Sequence, residues 1–168
     1  MLIVLSGLPG TGKSAVAAAL AAQLGAVQLS VDPVEDALLG AGLPRSWETG
    51  VAAYEAVRAA AEQNLALGHT VVVDAVNDSD IARDTWRNAA ARTDARLAFV
   101  VLTLDDAFEH RRRLTGRVRD LRHLPEPTWD EVRQRAAAYA PWDEYCVLVS
   151  AAGPVDQVAR AVLDQLPS

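Results

Sequence analysis

The run Gly7-Leu8-Pro9-Gly10-Thr11-Gly12-Lys13-Ser14 satisfies the spacing G-x-x-x-x-G-K-[ST] and sits between an apolar strand-like run and a helical stretch. Glycines here let the backbone curl so that successive N–H groups face inward as an anion nest, and the N-terminus of the following helix adds a dipole that favours phosphate. Pro9 and Thr11 complete the loop. Lys13 supplies a compact charge able to bridge β- and γ-phosphate oxygens, and the Ser14 hydroxyl can sit on Mg²⁺. Fifteen of the sixteen basic residues are arginine and Lys13 is the only lysine. Coding bias toward arginine and alanine explains most of that imbalance but not the one lysine kept, and a point charge suits this role better than a guanidinium fork. The loop predicts binding of a nucleoside triphosphate, taken as ATP, together with Mg²⁺.

Two acids are candidates for the chemistry beside it. Asp32, in Ser30-Val31-Asp32-Pro33-Val34-Glu35, is expected at the carboxyl end of the second strand, where ligands gather in a doubly wound sheet. There it reads as a general base for an acceptor hydroxyl attacking the γ-phosphorus. A helix start with Asp32 as N-cap, Pro33 at N1 and Glu35 at N3 accounts for the same residues, and both readings stay open. Thr70-Val71-Val72-Val73-Asp74 has the form of a strand whose terminal carboxylate orders a metal, so Asp74 joins Ser14 as the metal side; a turn with Asn77 and Asp78 is the alternative. Asn77 is within reach of an acceptor in this reading.

The segment Glu109 to Arg122 holds six arginines against two acids. Arginines delivered by a closing lid stabilise the charge of a transferring phosphoryl group and exclude water. Arg113 and Arg117 are spaced i, i+4, so on a continuing helix they share one face, with Gly116 as a hinge. Some of the cluster is expected to be simply solvated. Trp47, Trp86, Trp129 and Trp142 read as packing residues, and Thr128 to Glu131 as a capping box.

These residues need a scaffold, and the pattern supplies one. Five apolar runs, Leu2 to Leu5, Val27 to Val31, Thr70 to Val73, Leu97 to Leu102 and Tyr145 to Val149, alternate with helical stretches. Alternation of near-continuous apolar strands with helices predicts an α/β fold: three layers, with a five-stranded parallel sheet covered on both faces. The 168 residues form one domain, 1–168, with a polar insert at about 111–127 ended by Pro125-Glu126-Pro127. Cys146 has no partner and reads as a small buried hydrophobe, and the scattered histidines do not suggest zinc. No basic region or cleavage pattern marks a secretory signal, and no window is long enough for a membrane span, so a cytoplasmic monomer is the expectation. A net charge of −6 argues against a surface that coats nucleic acid.

GLPGTGKS, SVDP, VVVDAVN and HRRRLTGR together resemble the small P-loop kinases of the AAA-type ATP-binding group related to polynucleotide kinase, zeta toxin and chloramphenicol phosphotransferase. The similarity runs from Leu2 to about Pro154. It implies a nucleoside-kinase-like fold, Asp32 as the acceptor-activating aspartate, Arg113 and Arg117 as lid arginines, and adenine contact by the loop 151–154, hence Gly153. One departure matters. The polynucleotide kinases place an arginine three residues after that aspartate to clamp a substrate phosphate, and this chain has Glu35, which would repel one. The expectation is therefore phosphoryl transfer to a hydroxyl of a small molecule such as an antibiotic, a sugar or a nucleoside. A polynucleotide 5′-hydroxyl acceptor is demoted, and a nucleotide-dependent switch is the remaining alternative.

Overall fold

The computed structural model describes residues 1–167. β1 (Leu2–Ser6) is the centre of a five-stranded, all-parallel sheet of order β2-β3-β1-β4-β5. The partners are β2 (Val27–Ser30), β3 (Val71–Asp74), β4 (Leu97–Thr103) and β5 (Val147–Ser150). Helices α1 (Lys13–Leu24), α2 (Val31–Gly40), α3 (Trp47–Ala66), α4 (Asp80–Thr93), α5 (Ala107–Gly116) and α6 (Trp129–Ala138) connect them, and α7 (Val155–Leu163) follows β5.

The strand period of two explains the layering. Ile3 and Leu5 of β1 face one way, into a cluster with Val16 and Leu20 of α1 and Val158 and Val162 of α7. Leu2 and Val4 face the other way, into a cluster with Val57 of α3 and Trp86 of α4. All four β1 residues are fully buried, as expected for a parallel strand covered on both sides. The three-layer α/β architecture read from the alternation is the one observed.

Differences are local. The second strand ends at Ser30, not Val31, because Val31 opens α2, a helix absent from the periodicity reading. Its N-cap is Ser30, so Asp32 is neither a strand-end residue nor a cap; it lies in the first turn, favoured there by the helix dipole. The capping-box account of Asp32, Pro33 and Glu35 is thereby corrected. α5 stops at Gly116 and Arg117 is extended, with φ −73° and ψ 142°. Arg113 and Arg117 therefore do not share a helix face. Cys146 precedes β5 and is half-buried rather than buried. Trp47 is 71% exposed, against the packing expectation, whereas Trp86 is fully buried. The capping box at Thr128 and Glu131 is present.

Register brings the chemistry to one end of the sheet. Asp74 lies opposite Leu5 on one side and Ser30 on the other. The carboxyl ends of β1, β2 and β3 thus converge where the glycine-rich loop leaves β1, the general ligand position of an open α/β sheet.

Candidate active site

The loop from Gly7 to Ser14 joins β1 to α1 with Gly7, Gly10 and Gly12 all at positive φ, 139°, 89° and 96°. At Gly7 the requirement is absolute, because a Cβ would stand 2.6 Å from the Leu102 carbonyl oxygen. The loop is braced from within and from outside. Thr11 Oγ1 donates to the Leu8 carbonyl at 2.9 Å, and His110 Nε2 of α5 meets the Pro9 carbonyl at 2.8 Å. A carbonyl only accepts, so that nitrogen carries the imidazole proton. His110 is in turn held edge-on by Trp129. The His110 contact was not legible in the sequence, since it reaches the loop across 101 positions.

Lys13 is buried and its Nζ donates to the Leu8 carbonyl at 3.0 Å. Burial pushes its pKa down to about 8, against the pull of Asp32 and Asp74, and nearby Arg117 and Arg135 lower it further. An anion delivered to this nest favours the charged lysine, so the bound pKa exceeds the free one. Affinity for a polyphosphate is then fully expressed below pH 8 and falls as pH rises through about 8, by at most roughly tenfold per pH unit. Calorimetry in buffers of different ionisation heat should register proton uptake on nucleotide binding, approaching about one proton per chain above pH 8.

Asp74 is buried and accepts from Ser14 Oγ at 2.7 Å and from Ser30 Oγ. Two hydroxyls on one carboxylate, next to the anion nest, form a hard-oxygen set suited to Mg²⁺, which takes one or two protein ligands and completes its shell with water and phosphate. Ser14 and Asp74 fit that ion. The sequence reading overlooked Ser30, whose hydroxyl is turned to Asp74 and makes no cap bond.

The structure brings Asp32 to the same end, close enough to Lys13 to be the largest charge favouring its protonated form. Its carboxylate pairs with Arg119, and Glu126 binds both Arg119 and Arg117. The insert is docked on α2, where Asp36 Oδ1 accepts from the backbone N–H groups of His123 and Leu124, each at 2.7 Å. Those amides hold the Asp36 carboxyl below the usual range. Arg113 goes elsewhere: it pairs with Glu109 and donates to the Ala151 carbonyl at 2.7 Å, tying α5 to the loop that carries exposed Gly153. Asn77 is not available to an acceptor. It is fully buried at φ 55°, donates to Ser6 Oγ at 2.9 Å and accepts from Trp86 Nε1 at 2.7 Å. Beside it the buried Arg83 donates to the carbonyls of Asn77, Ala140 and Pro141 and stacks on Trp142. Asn77 and Arg83 thus set the loop's shape.

Between α2, α3 and α4 a cavity of about 540 Å³ opens beside Asp32, and a second of about 400 Å³ borders Pro9. Both include Asp78 and Arg135, an ion pair at 3.2 Å. The larger is of the size that takes a small molecule. Arg135, on α6, is a second functional candidate without a sequence motif.

No curated protein sequence matches the chain. Among solved structures, a gluconokinase from Sinorhizobium meliloti 1021 is similar at 23% identity and TM-score 0.67, covering 96% of this chain and 89% of that one. The Mycobacterium tuberculosis APS kinase CysC, solved with AMPPNP and APS, aligns at 20% identity and TM-score 0.71 over 97% and 95% of the two chains. Chaetomium thermophilum Kti12, solved with ADP-AlF3, aligns at 19% identity and TM-score 0.70 over 100% of both. These likenesses establish the P-loop kinase fold. The family described as AAA domain matches residues 2–139, most of the chain including the glycine-rich loop, Asp32, Asp74 and the arginine segment: the protein belongs to that family.

Proposed function

We propose that the chain transfers the γ-phosphoryl group of ATP to a hydroxyl of a small molecule, such as an antibiotic, a sugar or a nucleoside. The observation that carries this reading is the adjacency of three parts: the anion nest with Lys13, the Ser14–Asp74 pair, and Asp32 at the mouth of a cavity of about 540 Å³. The loop from Gly7 to Ser14 cradles the phosphates through its amides, and the loop at Gly153, held by Arg113, borders the adenine. Asp32 accepts the proton of the acceptor hydroxyl as its oxygen bonds to the γ-phosphorus. The bond from phosphorus to the β–γ bridging oxygen breaks, and ADP leaves. Lys13 and Arg117 offset the charge of the transferring group. Ser14 and Asp74 would hold Mg²⁺, which would offset the negative charge of the phosphates.

In this scheme the Arg119–Asp32 pair must open before Asp32 can take a proton, and an arriving acceptor competes with Arg119 for the carboxylate. Most of the rate comes from positioning, because phosphoryl transfer asks little covalent chemistry of the protein. ADP release measured against a panel of hydroxyl compounds tests the reading. Acceptor-dependent release with a stoichiometric phosphoester supports it. Slow hydrolysis indifferent to every acceptor favours a nucleotide switch. Transfer to oligonucleotide 5′-hydroxyls, with affinity falling steeply in salt, favours a polynucleotide kinase.

A further inference from the structure

The cavity beside Asp32 has an unusual charge for a site next to a triphosphate. Its wall carries five carboxylates, Asp32, Glu35, Glu55, Asp78 and Asp84, and one guanidinium, Arg135. Four of the five acids are already matched: Asp32 by Arg119, Glu55 by Arg58, Asp78 by Arg135 and Asp84 by Arg87. Glu35 alone has neither an ion pair nor a hydrogen-bond donor among the described residues. Arg135 and Arg45 are near enough to act on it electrostatically, but neither reaches it. Burial and the neighbouring Asp32 both raise its pKa, as expected for a carboxylate short of a cation.

A second feature of the same wall points to a ligand. Trp47 opens α3 and is 71% exposed. The other three tryptophans are packed, Trp86 against Tyr54, Trp129 against His110, and Trp142 against Phe99 and Arg83. An exposed indole on the rim of a cavity that holds an unpaired carboxylate offers its face to a cation. Asp32 and Glu35 stand three residues apart on α2, which sets their Cβ atoms roughly 5–6 Å apart on one side of the helix.

We infer that the acceptor is a cationic amino alcohol, its hydroxyl presented to Asp32 and an ammonium group held between Glu35 and the face of Trp47; this rests on the phosphotransferase reading above. Amino sugars and aminocyclitols have hydroxyl and ammonium groups spaced across one ring in this way. Anionic acceptors, including nucleic acid, meet an uncompensated carboxylate where they would need a cation.

The test uses paired probes with Mg-ATP, glucosamine against glucose and 2-deoxystreptamine against myo-inositol, with transfer followed by ³¹P NMR. The amine member is favoured in kcat/KM by at least about tenfold. Glu35→Gln brings each pair to within about twofold, the favoured member losing the charge that selected it. Acetylating the glucosamine nitrogen also removes the preference. Where no probe is turned over, binding is read with AMPPNP present, as an amine-dependent change in indole emission that Trp47→Phe abolishes. Neutral probes favoured, an amine preference that survives Glu35→Gln, or no amine-dependent emission change at millimolar amine each overturn the assignment. ATP titration of the same preparation reports separately on the nucleotide site. Normal ATP binding with transfer only to neutral hydroxyls leaves the phosphotransferase reading standing and sinks the cationic acceptor.

Discussion

Asp32→Asn lowers phosphoryl transfer by about 10²–10⁴-fold and leaves triphosphate affinity within a few-fold, the effect of removing a general base that does not itself hold the nucleotide. The isosteric amide keeps the shape of the first turn of α2 and can no longer accept the hydroxyl proton. It also loses the ion pair with Arg119, so the docked insert is held less tightly. Stability should barely move. Ser30, not Asp32, is the N-cap of α2. The carboxylate's favourable place in the first turn is worth only about 0.3–1 kcal/mol. Stopped-flow or ³¹P measurement of transfer beside a thermal melt separates the alternatives. If transfer stays near normal while Tm falls, Asp32 is a helix-start residue and the catalytic assignment fails.

Lys13→Met, which keeps the buried stem and removes the charge, should cost triphosphate binding about 3–4 kcal/mol, or roughly two to three orders of magnitude. The free protein should behave in the opposite sense. Burial holds the Lys13 pKa down at about 8, below its ordinary 10.5, so the folded state carries that charge at a net cost at neutral pH, even with Asp32 and Asp74 nearby. For a group whose folded pKa is lowered in this way, folding stability rises with pH between about 8 and the unfolded value, and the methionine variant loses that dependence. The expected pattern is a free-protein Tm equal to or above the native one, with the upward shift caused by ATP abolished. A lower Tm in the free variant, with nucleotide binding retained, would show that Lys13 is a packing residue.

These two effects differ because the residues meet the ligand from different sides. Lys13 is held by the loop on the Leu8 carbonyl, the place a phosphate takes in the proposed reading. Asp32 lines the cavity proposed for the acceptor and is engaged by a side chain of the insert. Under the proposed transfer, insert and acceptor compete for one carboxylate.

The sequence by itself determined the five strands, the helices other than α2, and the phosphate loop. Strand-like apolar runs alternate with helical stretches, and a contiguous glycine-rich motif carries its own geometry in its glycines and in the helix that follows. Local signals of this kind survive folding because burial on both faces of the sheet demands the same apolar runs that the chain displays. The positions of Lys13, Ser14 and Asp74 were legible for that reason, each lying in or directly at the end of such an element, and their roles toward ATP and Mg²⁺ belong to the proposal.

Tertiary structure alone decided which side chains complete the site. Ser30 is an ordinary helix cap by its type, but strand register sets it opposite Asp74 and turns its hydroxyl there. His110, Arg119 and Arg135 reach the loop, Asp32 and the cavity from α5, the insert and α6, and no spacing along the chain encodes those meetings. Arg113 and Arg117, four apart, were expected on one face. The helix ends at Gly116 and sends one to the β5 loop and the other to Glu126. Asn77, within reach of an acceptor on the sequence reading, is instead spent on Ser6 and Trp86 inside the core. Contacts across tens of residues depend on how layers pack, whereas periodicity reports only which face of an element is buried.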